Sequence, residues 1–306
     1  MSSGLTPDEK LATRFGLTDP ELVHVHTGYR GTRTSLLRDE VRSVYLRRYA
    51  DHWQHRPAQV TFELRWLNLL VQQGQRVPTV VRTIEGEAAV VDGGLPVAVF
   101  TPVPGAPRYP LTPSEAATLG VALADLHRAP APSPGPEVFR YDLDTLLEAP
   151  LSFGLQFLQG ADAEAWARLG AEWRAAVAAI PINETTFGAV HADLHQWNVM
   201  WDGPVPYLLD FALCGIGYRL YDLAGFLWPR RDDTAADPAV AAMCDAFVEG
   251  YRSRRPLCAE EEAALGVVVR LRDVWEMRDF AEWDEKFDAA RDVPGYLARF
   301  QAFPTA

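Results

Sequence analysis

The apolar residues of this chain change period once, at a proline-rich joint, and that change limits the possible folds more than any other feature. Before Thr101-Pro102-Val103-Pro104-Gly105 the pattern is mostly that of strands; after it the pattern is mostly helical. Glu21–Gly28, Thr32–Leu37 and Val41–Tyr49 are rich in β-branched and aromatic residues, separated by Gly31 and the polar Arg38-Asp39-Glu40 turn. Gln59–Gln73 repeats Val60, Leu64, Leu67 and Val71 at helical spacing and stops at Gly74. Thr79–Ile84, Ala88–Val91 and Val97–Thr101 predict three more strands. The joint itself is stiff, because proline fixes φ and removes an N–H at two positions. Strands first and helices afterwards predict an α+β protein in two lobes: a β-rich lobe over residues 1–101, a hinge over 102–105 and a helical lobe over 106–306. A ligand cleft between the lobes is the expected site.

The helical half has its own punctuation. Thr112-Pro113-Ser114-Glu115 is a capping box with proline at the first helical position, and Leu119, Val121, Leu123 and Leu126 follow toward a core. Pro130–Pro136 is a loop, and Tyr141–Ala179 predicts two or three amphipathic helices. Short strands are expected at Phe187–Val190 and Pro206–Asp210. Asp237-Pro238 opens a helix with Val240, Met243, Phe247 and Tyr251 on one face, and a last long helix runs from about Glu260 to Trp283.

Charge and composition exclude several classes. The net charge of −12 over 306 residues disfavours general binding to nucleic acid, which needs clustered Lys and Arg. Cys214, Cys244 and Cys258 are scattered and odd in number, with no CxxC pair, so neither a disulfide framework nor a cysteine zinc site is expected. The polar start, Met1 to Leu11, lacks an apolar signal core, and no apolar run approaches the roughly 20 residues that span a bilayer. The expectation is a cytoplasmic enzyme without a membrane partner. The only lysines are Lys10, before the first expected strand, and Lys286, after the last long helix, which restricts which residue can hold a phosphate.

The densest chemistry lies in His191-Ala192-Asp193-Leu194-His195-Gln196-Trp197-Asn198. Twelve residues after Asn198 comes Asp210-Phe211, closing the apolar run Tyr207-Leu208-Leu209, and twelve further on comes Asp222-Leu223-Ala224. Phosphoryl transfer needs a carboxylate for the attacking hydroxyl, oxygen ligands for Mg²⁺ and a cation on the nucleotide phosphates. Asp193 can be that carboxylate, while Asn198 and Asp210 are hard oxygen donors. The spacing Asp-x4-Asn, with an Asp after a following hairpin, is that of a kinase catalytic loop.

On these residues the chain resembles the aminoglycoside phosphotransferase family, over roughly Val23 to Trp283. The matching strings are His191 through Asn198, Leu208-Leu209-Asp210-Phe211 and Tyr221-Asp222-Leu223-Ala224. Phe247-Val248-Glu249-Gly250-Tyr251, Leu46-Arg47 and Glu63 resemble the branch of homoserine kinase-type enzymes and the bacterial stress-response kinase. The resemblance implies a protein-kinase-like fold whose N-terminal lobe binds nucleotide. It implies ATP as co-substrate, with GTP as the alternative, and one or two Mg²⁺ ions. Asp193 would be the base, Asn198 and Asp210 the metal ligands, and His195 a basic residue facing the γ-phosphate. His191 and Asp222 would brace the loop. Arg47 would bind phosphates and pair with Glu63. The Thr27–Thr32 turn, with Gly28 and Gly31, would cover the phosphates. Adenine would dock on the joint, against the Thr101 carbonyl and the Val103 N–H. The chain departs from the family at Ala192, where glycine is usual, and at Ala212 and Leu213, where many relatives are acidic.

Plainer readings stand beside these. Asp193, Asn198 and Asp210 are also turn formers. His191 and His195, with His24 and His26, could be parts of a metal hydrolase, although no histidine follows His195. His127 reads as a cap or packed residue. Asp273, Glu276, Asp279 and Glu282 read as a charged helix face neutralised by Arg270, Arg272 and Arg278, with a wall for a cationic substrate as the rival. The expected function is transfer of the γ-phosphate of ATP to a hydroxyl of a small molecule, aminoglycoside-, nucleoside- or amino-alcohol-like. A Ser/Thr protein kinase and a silent nucleotide-binding protein are the alternatives.

Overall fold

A computed structural model describes residues 5–28, 31–52, 55–234 and 237–302. Along the chain come helix α1 (Pro7–Thr13), strands β1 (Glu21–Thr27), β2 (Arg33–Arg38) and β3 (Ser43–Arg48), helix α2 (Pro57–Gln72), and strands β4 (Val80–Val81), β5 (Ala89–Asp92) and β6 (Leu95–Phe100). Helix α3 (Pro113–Arg128) and strand β7 (Arg140–Tyr141) follow, then a π-helical turn over Asp144–Glu148 that runs into α4 (Ala149–Gly154), and α5 (Gly160–Ala178). Next are β8 (Phe187–Val190), β9 (Val199–Asp202), β10 (Val205–Leu208) and β11 (Gly215–Tyr218). The chain ends with α6 (Leu220–Leu227), α7 (Pro238–Arg252), α8 (Ala259–Trp283) and α9 (Ala289–Ala302). The α+β class expected from the sequence is borne out. No helix among the described residues is long and apolar enough to cross a membrane.

The chain divides into two compact units. The first holds residues 1–108, 129–138 and 197–213; the second holds 109–128, 139–196 and 214–306. In the first, an antiparallel sheet has the order β1-β2-β3-β6-β4, with β5 also paired to β6. Strand alternation sorts β3 into two faces. Val44 and Leu46 point with Leu37, Val97 and Val99 into a core closed by Leu11, Ala12, Phe15 and Leu17. Full burial of each such Leu or Val contributes about 1.5–3 kcal/mol. Tyr45 and Arg47 point to the other face. Helix α1 was not expected, yet its start carries a capping box, Thr6 with Glu9. It also carries Asp8, buried at 2 % exposure, which accepts from Ser35 Oγ at 2.5 Å and Arg48 Nε at 2.6 Å.

One segment differs from the sequence pattern here. The strand expected over Thr79–Ile84 shrinks to β4, because Thr83 and Glu87 close a turn through Gly86. The strand expected near Pro206–Asp210 is β10, and its antiparallel partner β9 is the other arm of the hairpin expected between Asn198 and Asp210. The joint after β6 is tied to β9: Ala106 and Trp201 exchange two backbone hydrogen bonds, at 3.1 and 2.9 Å. A Cβ on Gly105, where φ is +95°, would stand 2.1 Å from the Trp201 carbonyl oxygen, so no side chain fits there.

In the second unit, α3 and α7 pack at backbone distance. A Cβ on Gly120 would meet the Phe247 carbonyl oxygen at 2.0 Å, and one on Gly250 the Ala117 carbonyl oxygen at 2.0 Å. A small sheet of order β7-β11-β8 lies in the same unit. The long helix α8 packs against α5, α6 and α9. Helix α9 was also not expected; Val293, Leu297 and Phe300 are its buried positions. The Tyr141–Ala179 segment holds the π turn, α4 and α5 where two or three helices were expected.

Candidate active site

The first unit contains a cavity of about 230 Å³, lined by four of the six residues singled out for nucleotide and not by Gly28 or Gly31. Arg47 and Glu63 are on its wall, as are Thr101 and Val103 of the joint and Asn198 and Asp210. Arg47 reaches it because β3 alternates, with Leu46 in the core. Its Nη1 stands 3.1 Å from Asp210 Oδ1 and 3.5 Å from Glu63 Oε1. Burial opposes the guanidinium charge, but Asp210, Tyr49 and Glu63 outweigh it, and Arg47 is held more firmly protonated than usual. Glu63, on the buried side of α2, is 1 % exposed and accepts from Tyr49 Oη at 2.8 Å. Burial pushes its carboxyl up to about 7 in spite of Arg47. Near neutrality, therefore, Glu63 is poised between two protonation states, and of the two carboxylates Asp210 stands nearer to Arg47.

Asn198 and Asp210 are brought together by a hairpin. Asn198 precedes β9 and Asp210 follows β10, whose register pairs Val199 with Leu208. Leu209 N–H then donates to the Asn198 carbonyl at 2.8 Å. Asp210 adopts φ +58°, a left-handed conformation that Asp tolerates better than most residues. Phe211 anchors the turn against Trp66, ring centroids 5.4 Å apart. Asn198 and Asp210 thus put two hard oxygen donors on one cavity wall, a donor set that would suit a hard divalent cation bound beside phosphate. Among the described residues no group of three or more His, Cys, Asp or Glu is arranged to hold a metal ion. At the Thr27–Thr32 turn, Gly28 N–H donates to the Thr32 carbonyl at 2.8 Å and Gly31 N–H to the Gly28 carbonyl at 3.4 Å. Tyr29 and Arg30 of that turn lie outside the described residues.

In the second unit, Asp193 lies in a loop held from several sides. Asp222, fully buried, accepts from His191 N–H at 2.7 Å with one oxygen and from Ala192 N–H at 2.6 Å with the other. His127 Nε2 is 2.8 Å from Asp222 Oδ2, and His127 Nδ1 is 2.7 Å from Tyr251 Oη. Since a carboxylate only accepts, the proton belongs on Nε2 and the Tyr251 hydroxyl donates to Nδ1. Burial lowers the His127 pKa to about 4 even beside Asp222, so the ring is neutral. Asp193 N–H donates to His191 Nδ1 at 3.2 Å, and His195 Nε2 is 3.5 Å from Asp193 Oδ2. Burial works to raise the Asp193 carboxyl, but His195 and the charge of Arg272 hold it far below the ordinary carboxylate range.

The sequence has the relatives this chemistry suggests. A family model described as the phosphotransferase enzyme family matches residues 25–257. The chain belongs to that family. This phosphotransferase is 33 % identical over 269 residues to an uncharacterized protein of Deinococcus radiodurans, covering 86 % of this chain and 78 % of that one. It is 33 % identical over 219 residues to a homoserine kinase of Gluconobacter oxydans, covering 66 % of each. Its fold matches a microcompartment-associated aminopropanol kinase with a TM-score of 0.76 at 25 % identity, over 96 % of this chain and 97 % of that one.

In the sequence pattern of the phosphotransferase Arg272 is only one neutralising charge on α8. In the fold it is buried and donates to the Ala192 carbonyl at 2.6 Å and to Asp193 Oδ1 at 2.9 Å. A signal existed: Val268, Leu271 and Trp275 set the buried stripe of α8, and position 272 borders it. The acidic run on the same helix is engaged within the protein. Asp273 pairs with Arg231 at 2.9 Å, Glu276 with Arg272 at 3.1 Å and Glu282 with Arg278 at 3.6 Å, while Asp279 accepts from Trp283 Nε1 at 2.8 Å. Trp275 on this helix is buried, while Phe280 and Trp283 are partly exposed.

Proposed function

We propose that this phosphotransferase moves the γ-phosphate of ATP to a hydroxyl of a small amino alcohol. The observation that carries the reading is the single cavity wall shared by Arg47, Asn198, Asp210 and the Thr101–Val103 strand end. Adenine docks on that strand end, with the Thr101 carbonyl facing the exocyclic amine and the Val103 N–H facing a ring nitrogen. Arg47, oriented by Asp210 and Glu63, holds the phosphates; Gly28 and Gly31 cover them with backbone N–H groups. Asn198 and Asp210 hold magnesium, which when bound neutralises charge on the phosphate oxygens. Asp193 orients the acceptor hydroxyl and takes its proton, and His195 beside it faces the γ-phosphate. Its low proton affinity suits late proton transfer in a loose transition state. His191 and Asp222 keep the loop in place. The names of the similar homoserine and aminopropanol kinases support an acceptor with an amino group near a hydroxyl. Thiols that form no disulfide among the described residues fit the cytoplasm.

The test is ATP consumption with magnesium against homoserine, 1-amino-2-propanol, an aminoglycoside, a nucleoside antibiotic and a generic protein substrate. Turnover with an amino alcohol at least about tenfold above the others supports the reading. Turnover with the protein alone replaces it with a protein kinase, and nucleotide binding without turnover replaces it with a silent binder.

A further inference from the structure

The geometry points to a positioning role for Arg272: we infer that its guanidinium fixes the Asp193 carboxylate by Oδ1 and so selects Oδ2 as the oxygen that takes the acceptor proton. The inference rests on Asp193 being the base. Three observations carry it. First, Ala192 sits at φ +64°, where a side chain is disfavoured, and the backbone there is gripped at both ends. Asp222 takes its N–H, and Arg272 Nη1 takes its carbonyl at 2.6 Å. Second, the same guanidinium reaches the next residue through Nη2, 2.9 Å from Asp193 Oδ1. A planar fork can satisfy two acceptors in fixed relative positions, which the single ammonium of lysine cannot reproduce. Third, Arg272 itself has no room to move. Its side chain is 5 % exposed, its Nε donates to Glu276 Oε1 at 3.2 Å, and it lies 5.3 Å from the ring centre of Tyr221 and 5.9 Å from that of Trp275.

The bond from the guanidinium to Oδ1 opposes rotation of the Asp193 carboxylate and leaves Oδ2 on the side of His195. The charged and titratable groups facing Asp193 are Arg272 from α8, His191 and His195 from its own loop, Tyr221 from α6 and Tyr141 from β7; Glu276 acts on Arg272 from the same helix. Arg272 thus has two separable effects: it keeps the carboxylate ionised and it sets its direction.

The experiment compares Arg272→Gln and Arg272→Lys with wild type, and uses Arg278→Gln on the exposed face of the same helix as control. The Asp193 carboxyl is titrated directly by ¹³C NMR of protein labelled at Asp Cγ, its signal assigned by loss in Asp193→Asn. This needs no acceptor. In parallel, kcat against pH and the ATP KM are measured with 1-amino-2-propanol and with homoserine. In Arg272→Gln the Asp193 titration should move up by about one pH unit or more. Its kcat at pH 7 should fall at least about tenfold with the ATP KM within about twofold. Arg272→Lys should restore most of the titration but not the kcat, because it returns charge without the fork; it also serves if Arg272→Gln fails to fold. Wild-type titration and kcat in both variants overturn the inference. If instead Asp193→Asn turns over at the wild-type rate, it is the base assignment that fails, and the positioning role falls with it.

Discussion

Replacing Asp222 with asparagine should loosen the loop around Asp193 and leave the nucleotide cavity intact. The carboxylate is fully buried and accepts three bonds, from His191 N–H at 2.7 Å, Ala192 N–H at 2.6 Å and His127 Nε2–H at 2.8 Å. An amide has one acceptor oxygen, so at least one of these buried donors must face an NH₂ group. An unsatisfied buried donor costs about 1–3 kcal/mol, and the remaining bonds drop from charge-assisted to neutral at about 1 kcal/mol each. The sum is about 3–5 kcal/mol, or on the order of 10 °C in Tm for a chain of this size. Misplacement of a catalytic group by about 1 Å can cost about 10²-fold, so kcat should fall by that order with homoserine or 1-amino-2-propanol as acceptor. The ATP KM should hold, because the cavity lies in the other unit. Thermal denaturation and steady-state kinetics read both quantities. An Asp222→Asn protein with wild-type Tm and kcat would refute the claim that this charge holds the loop.

Three further outcomes follow from the geometry. Arg47→Ala should raise the ATP KM or lower kcat by at least about tenfold, since it removes a charge-assisted contact worth about 1.5–3 kcal/mol. Arg48→Ala should spare the ATP KM yet lower Tm, because Arg48 is the partner of buried Asp8; a crippled KM in Arg48→Ala alone would reverse the assignment. His127 should make the fold acid-sensitive. Its pKa falls from 6.5 to about 4 on burial, so the stability is fully present above pH 6.5 and is lost as pH falls toward 4. The loss amounts to up to about 3 kcal/mol. Urea unfolding at pH 7 and pH 5 should show that slope in wild type and lose it in His127→Gln. Gly105→Ala should lower Tm and weaken ATP binding together, measured by calorimetry, because its Cβ would strike the Trp201 carbonyl; unchanged binding would show that the joint does not shape the cavity.

The parts legible in sequence are those whose geometry is local. Asn198 and Asp210 are twelve residues apart, and the apolar run between them is short enough that a hairpin must return the chain. That Arg47 faces away from the core follows from strand alternation, since Leu46 beside it is a core residue, whereas its phosphate role is what the family resemblance implies. Arg272 and His127 lie 79 and 95 residues from the groups they touch, and nothing in a helical period says which distant loop its buried edge will meet. Helices α1 and α9 were missed for other reasons. Helix α1 carries a readable Thr6–Glu9 capping box but is only seven residues long, and α9 keeps Val293, Leu297 and Phe300 at helical spacing around Pro294, a residue that argues against a helix interior. Strand β9, one arm of that hairpin, is only four residues long and shows no alternation of its own, so its bounds were not legible.

The two bonds between Ala106 and Trp201 bear on entropy as well as shape. Fixing one residue's backbone opposes binding by about 1–2 kcal/mol, so a five-residue joint that was ordered only by its ligand would forfeit on the order of 5 kcal/mol or more of affinity. Here folding has already ordered it, through the β9 ladder and the close approach of Gly105. The amide hydrogens of Ala106 and Trp201 should therefore exchange slowly with solvent deuterium even in the ligand-free protein, as those of a sheet do rather than those of a loop.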